Sequence, residues 1–236
     1  MTDRQRERDR RAIMAARNNA DWYAMMFDIH GLRYERSEIA FVGIDPPPPY
    51  HSRMTTLDPR PTGALRALVS EQAGRPGFGI KDSFDCLPLV EHGLTELFSA
   101  SWIHADAIRA ASTKGWTRIR DADDLALWER AWNAGGSPSG ERQFPATVLE
   151  RPDVAFYGRR AKTEFDAGVV ANLSSDCVGL SNCFGEGAFG AAATLCAKLG
   201  RDLPVVSYVR NDGLDAALAC GFEKTGSLRV WTGPSA

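Results

Sequence analysis

The sequence predicts an α+β fold: a mixed, mainly antiparallel sheet flanked by helices, preceded by an N-terminal helix and a smaller unit of strands and helices. Three observations carry this. "VAFYGRR", "FDAGVVANL" and "CVGLSNCF" read as strands, and their connections "AKTE" and "SSD" suit an antiparallel meander. A glycine-rich stretch, "GEGAFG" (Gly185–Gly190), follows the third strand and opens an apolar helix, "AAATLCAKL". After it there is room for only one further strand–helix–strand run, "LPVVSYV", "DGLDAALAC" and "SLRVW", too little for a doubly wound parallel sheet.

The elements before these follow in order. Residues 5–27 predict a helix with Ile13, Trp22, Met25 and Met26 on an apolar face. "IAFVGI" (Ile39–Ile44) reads as a short buried strand, and the proline run "DPPPPY" as loop. "HSRMTTL" (His51–Leu57) alternates like a strand. "TGALRALVSEQAG" (Thr62–Gly74) reads as a helix ended by Gly74. "FGIKDSF" predicts a strand, "LPLVEHGLTELF" a helix and "SASWI" a strand. "WTRIR", from Trp116, opens the second segment as a strand, and Asp121 caps the helix "ADDLALWERAW", whose Leu125, Trp128 and Trp132 share one face. Asn211 is the expected cap of "DGLDAALAC", with Gly221 past its end, and Gly200 stops the helix before it.

A weak repeat links the two parts. Gly74–Trp102 and Gly200–Trp231 share one order: a helix-ending Gly-Arg, a strand, a short helix, Gly plus an apolar residue, and a strand ending in Trp. The first part (1–105) thus reads as a degenerate half-copy of the second (113–236).

The totals exclude several functions. The chain has 236 residues and a formal net charge of −2, so charge supplies no reason to expect nucleic acid or an anionic membrane as partner. No run approaches the ~20 apolar residues of a membrane span. The charged start, "MTDRQRERDRR", has no secretory pattern. Five cysteines without a C-x-x-C suit reduced thiols and a cytoplasmic location, with Cys196 and Cys220 as small buried residues. The four histidines lack metal-ligand spacing, so no metal is expected.

The glycine loop carries the chemistry. Gly185, Gly187 and Gly190 satisfy G-x-G-x-x-G, but a meander precedes them and 46 residues follow them, which disfavours a dinucleotide domain and leaves an NAD(P) enzyme as the remote alternative. No G-K-[ST] follows, and "GLSNC" has no histidine after it for a hydrolase triad. What stands is general: glycines between a strand and a helix let backbone N–H groups surround an anion, and the helix N-terminus adds a positive field. A tight turn that binds nothing is the plain structural counterpart.

From Trp116 to Trp231 the order of strand, helix, three-strand meander, glycine loop, helix, strand, helix and strand resembles the GNAT superfamily of acyl-CoA-dependent N-acyltransferases. "VGLSNCF" stands for its fourth strand, "GEGAFG" for its pyrophosphate loop, and "VVSYVRND…ACGF" for its fifth strand and next helix; Asn211 and Gly221–Phe222 match family positions. The resemblance implies splayed fourth and fifth strands, acetyl-CoA as donor and a small amine or amino-acid-like acceptor. It puts the backbone of Asn182, Cys183 and Phe184 on the pantetheine arm. It puts the amides of Gly185, Glu186, Gly187, Ala188, Phe189 and Gly190 on the diphosphate, with Asn211 beside them. Two departures stand out. Gly185 and Ala188 replace the usual Gln/Arg and middle glycine of the loop, and Ala217 stands where a thiolate-protonating tyrosine is usual. A non-catalytic acyl-CoA-binding or regulatory protein is therefore the alternative. For catalysis the candidates are Asn182, favoured over Ser181 because neighbours alternate along a strand, and Tyr208 as acid. Tyr157, Glu164 and Asp176 are candidates to meet a cationic acceptor. Whether the N-terminal half closes the acceptor site or forms a homodimer face stays open.

Overall fold

The computed structural model describes residues 2–233. Helix α1 (Asp3–Ile29) runs uninterrupted because its span contains neither glycine nor proline; Thr2 caps it, its side chain accepting the Gln5 N–H, and Trp22, Tyr23, Met26 and Phe27 are buried. Strands β1 (Tyr34–Arg36), β2 (Ala40–Gly43) and β3 (Met54–Thr56) follow, then α2 (Gly63–Ala73), capped by Thr62. Next come β4 (Gly79–Asp82) and β5 (Thr95–Ala105). The second part contains β6 (Trp116–Arg118), α3 (Ala122–Ala134), β7 (Val154–Ala161), β8 (Glu164–Leu173), β9 (Val178–Phe184), α4 (Phe189–Gly200), β10 (Val205–Val209), α5 (Leu214–Ala219) and β11 (Glu223–Thr232).

The chain forms two compact units. One takes residues up to Trp102, then Tyr208–Asn211, then Thr225 onward; the other takes Ile103–Ser207 and Asp212–Lys224. In the first unit the strand order is β1-β2-β3-β4-β11-β5-β10. Its small core packs Met54, Leu65, Val69, Phe78, Ile80, Leu89 and Trp231 together. The last strand of the chain lies antiparallel to β4, with Val230 opposite Lys81. So β11 sits between β4 and β5 in the sheet.

In the second unit the order is β10-β9-β8-β7-β6, antiparallel except for β9 and β10. Asp121 caps α3 by accepting the Asp124 N–H at 2.9 Å. Trp128, fully buried, meets Phe144, Phe156 and Phe184 edge-on and donates its indole N–H to Tyr157 O at 2.9 Å.

Two expectations are corrected. "LPLVEHGLTELF" is not a helix: a single 3-10 turn, Leu89–His92, ends at Gly93 with φ 72°, and Thr95 already starts β5. Asn211 does not cap α5; it opens a 3-10 turn, Asn211–Gly213, and Gly213 precedes the helix without a side-chain cap. Strand β1 had no counterpart in the sequence reading. Its three residues have only Tyr34 partly buried, so no alternation marks them.

Candidate functional site

The second unit places a parted pair of strands before the glycine loop. Strands β9 and β10 pair in parallel at two positions only, Val178 with Val205 and Gly179 with Val206. The Ser207 hydroxyl then donates to Leu180 O at 2.7 Å, and β9 runs on to Phe184 without further pairing to β10. A strand edge of four residues, Ser181 to Phe184, is left with its partner only on the β8 side.

That edge is bent by a β-bulge. Gly168 pairs with Phe184 and Val170 with Ser181, so two residues of β9, Asn182 and Cys183, oppose one of β8. Asn182 takes φ 50°, a left-handed conformation that Asn tolerates better than most residues. The bulge also breaks the alternation expected of Ser181 and Asn182. Asn182 Nδ2 donates to Ser181 Oγ at 3.2 Å, so the two side chains are neighbours rather than on opposite faces. Cys183 lies beside them as a neutral thiol, its pKa pushed up by burial to about 12.

The loop after β9 turns on two glycines. Gly185 has φ 99° and an added Cβ there would lie 2.5 Å from Ala167 Cβ and from Asp166 O; Gly187 has φ 63° and open space around it. Gly185, Glu186 and Gly187 are exposed. The Ala188 N–H donates to Gly185 O at 3.3 Å, closing the turn, so this amide is engaged inside the loop and not presented with the others. Helix α4 starts without a side-chain cap, and its first backbone bond is Ala192 N–H to Ala188 O at 3.0 Å. The amides of Phe189, Gly190 and Ala191 precede that bond and are the orphan donors of the helix start.

Two neighbours brace this loop. The segment after β5 crosses α4 and α5: Ala111 N–H donates to Thr194 Oγ1 at 2.9 Å, Thr194 Oγ1 donates to Gly190 O at 2.8 Å, and Arg109 N–H donates to Cys220 O at 2.9 Å. From β7, Arg159 pairs with Asp166 at 2.7 Å and reaches Glu186 O at 3.5 Å, which brings a guanidinium beside a loop lacking its own. The Gly221–Phe222 step ends α5, with Gly221 at φ 97° and the Phe222 ring 5.7 Å from that of Phe189. Ala217 is fully buried and accepts the Phe222 N–H at 3.2 Å.

The remaining candidates are scattered. Glu164 begins β8 while Asp176 follows its end, roughly 30 Å apart along the strand direction, and both are exposed. Tyr157 is half-buried on β7, opposite Arg118 on β6. Cys196 is buried as expected; Cys220 is only partly so. Among the described residues no group of three or more His, Cys, Asp or Glu is placed to hold a metal, and no helix is long and apolar enough to cross a membrane.

In the first unit, exposed Asn211 makes no site that its position explains, whereas Tyr208 meets a residue the sequence reading passed over. Lys81, 2% exposed, places its Nζ 4.3 Å from the centroid of the Tyr208 ring. A lysine inside the apolar strand "FGIKDSF", on the same strand face as Gly79, was the available signal.

No protein-family sequence profile matches the chain, and no curated protein does. Solved structures do. A GCN5-related N-acetyltransferase from Kribbella flavida aligns over 94% of this chain and 96% of its own, with a TM-score of 0.59 and 15% identity. A GCN5-related N-acetyltransferase from Sphaerobacter thermophilus aligns over 89% and 85%, with 0.56 and 10%. A functionally unknown conserved protein from Staphylococcus epidermidis aligns over 87% and 95%, with 0.62 and 9%. The fold is that of the GNAT N-acyltransferases, and the likeness extends over both units rather than the last 120 residues alone.

Proposed function

We propose that the chain is an acyl-CoA-dependent N-acyltransferase that moves an acetyl group from acetyl-CoA to a small amine or amino-acid-like acceptor. One observation carries this: β9 leaves β10 after two pairs and runs through a bulge into an exposed glycine loop and an uncapped helix. The edge from Ser181 to Phe184 suits the amide groups of a pantetheine arm. The amides of Gly187, Phe189, Gly190 and Ala191 suit a diphosphate, with Arg159 as the nearby cation.

The reaction then follows from elementary chemistry. An alkyl ammonium with a pKa near ~10.4 loses a proton to a base or a water chain before its lone pair attacks the thioester carbon. A nitrogen–carbon bond forms, the carbon–sulfur bond breaks, and the nitrogen's second proton leaves as the amide forms. A backbone N–H of β9 stabilises the oxyanion; one such donor is worth ~2.7–4 kcal/mol in comparable sites. The thiolate, resembling a free thiol of pKa about 8.5, departs with little assistance.

A second reading, a non-catalytic acyl-CoA-binding protein, is favoured by the buried Ala217 and the engaged Ala188 amide. The dinucleotide reading loses support from the antiparallel strands before the loop. Thermal melting with acetyl-CoA, CoA and NAD(P) separates them. Ligand at 100 times its Kd adds ~2.7 kcal/mol, which for this length raises the midpoint by roughly 5–11 °C. CoA compounds alone are expected to give that shift; a shift with NAD(P) and none with CoA refutes the proposal. Thiol release over a panel of amines then separates enzyme from binder.

A further inference from the structure

A second bulge in the second unit aims a guanidinium at the glycine loop. Along β7 and β8, Arg159 pairs with Ala167 and Arg160 with Phe165, so Asp166 is an extra residue of β8 in that register. A bulge of this kind re-aims the side chain it carries. Here the Asp166 carboxylate accepts from Arg159 Nε at 2.7 Å, while the Asp166 carbonyl packs where Gly185 has no Cβ. Gly115 lies under the arginine stem, where an added Cβ would be 3.8 Å from Arg159 Cγ. Arg159 Nη2 donates to Glu186 O at a long 3.5 Å, and among the described residues the guanidinium has no further partner. The Arg159 side chain is 32% exposed, so it is held without being buried. The two flanks of the loop also differ. At Gly190 a Cβ would meet Ala111 Cβ at 3.2 Å and Cys220 Sγ at 3.6 Å, so that flank is covered. At Gly187 it would meet nothing within 4 Å, and Glu186 beside it is exposed. Arg159 stands at this open flank, and all of these residues belong to the second unit.

A helix start offers roughly half a positive charge, less than the charge of a diphosphate, and "GEGAFG" has neither Arg nor Lys. A guanidinium presents five N–H donors in a planar fork that matches phosphate oxygens. Asp166 engages Nε and leaves the Nη groups for the loop side. We infer that Arg159 sets the affinity for the diphosphate of the acyl donor, and that Asp166 is its positioning residue. This rests on the transferase reading above, in which the donor is a CoA thioester, and adds to it a cation supplied by the meander in place of the loop. Two properties of Asp166 are separable. Its charge repels the same ligand that Arg159 attracts, while its oxygen holds the fork toward the loop. Asn and Ala at 166 both remove the charge, and only Asn keeps an acceptor for the Nε–H. The difference between those two variants therefore isolates the hold, and it has meaning only while Arg159 is present.

The test measures Kd by titration calorimetry on the full chain with two probes, CoA and 3′-dephospho-CoA, which keeps the diphosphate and lacks the third phosphate. Arg159→Gln is expected to weaken both probes by roughly 10-fold and to flatten their dependence on salt. Without ligand its thermal midpoint should stay within a few degrees of the parent, since the side chain leaves the core untouched. Asp166→Asn is expected to bind both probes about threefold more tightly than Asp166→Ala, and in the Arg159→Gln background the two should bind alike. The inference is overturned if Arg159→Gln binds both probes as the parent does, or if Asn and Ala at 166 are equal with Arg159 present. It is overturned too if Arg159→Gln loses affinity for CoA alone, which places the arginine on the 3′-phosphate. A parent chain that binds neither probe overturns the transferase reading and the inference together, whereas a parent that binds both while the variants match it overturns the inference alone.

Discussion

Gly185 and Gly187 look alike in the sequence and differ in the structure. Both take positive φ, but only Gly185 is hemmed in, by Ala167 and the Asp166 carbonyl. Alanine at 185 adds a backbone clash to the left-handed strain; we expect a loss of roughly 2–4 kcal/mol, lowering the thermal midpoint by about 5–15 °C. Alanine at 187 meets only the strain, roughly 1–2 kcal/mol, yet it stands on the exposed face of the loop. Gly187→Ala should therefore melt within a few degrees of the parent while losing most of the CoA-induced shift. Equal melting losses in the two variants would contradict the assignment of Gly185 to packing and Gly187 to the ligand face. The motif announced the loop, but the sequence could not assign these separate tasks. They depend on Ala167 and Asp166, brought there by the β8–β9 pairing.

At the scale of elements, the start of α4 is held by a side chain from its second turn. Thr194 lies at i+4 from Gly190, bonds that carbonyl, and accepts the Ala111 N–H from the segment crossing the helix. Thr194→Val keeps the shape and removes both bonds, with an expected loss of ~1–2 kcal/mol. Amide exchange at Ala111 should accelerate while that of Ala192, bonded to Ala188 O, changes little. If Ala111 exchanges at the parent rate, the hydroxyl is not what ties the segment down. Elements with strong local signals were legible. Asp121 caps the helix expected of it, the helix read from Thr62 forms, and the meander has its predicted order because short connections admit few alternatives. The 3-10 turn at Leu89–His92 was read as a helix because its apolar spacing fits either form; the left-handed Gly93 and the long-range pairing of β5 decide it. The bulge at Asn182–Cys183 was illegible for a similar reason. Alternation is a local rule, and a bulge is set by the partner strand.

Over the whole chain, no local pattern in the sequence reveals that β11 enters between β4 and β5. That insertion brings the chain's last strand against residues read some 150 positions earlier and places Lys81 on a face covered by α1. In the same unit, His51 sets a response to acid. His51 stacks on Trp22 at 6.5 Å, meets Tyr23 edge-on at 4.9 Å and hydrogen-bonds Pro49 O through Nδ1 at 3.0 Å. Desolvation, with a smaller contribution from the charge of Lys81, lowers its pKa to about 4. An unfolded histidine titrates near ~6.5, so between that pH and 4 the unfolded chain binds a proton that the folded chain refuses. The stabilisation is complete above about pH 6.5 and is lost as the pH falls toward 4, by at most roughly 3 kcal/mol. Carboxylates titrate in the same window, so the informative quantity is the difference between the parent and His51→Gln. The parent midpoint should fall more steeply than the variant's from pH 6.5 to 4, with the two curves parallel above pH 7. Parallel curves throughout would mean that His51 takes up its proton as easily in the folded chain as in the unfolded one. The aromatic and cationic surroundings of the α1–β3 contact would then not exclude charge.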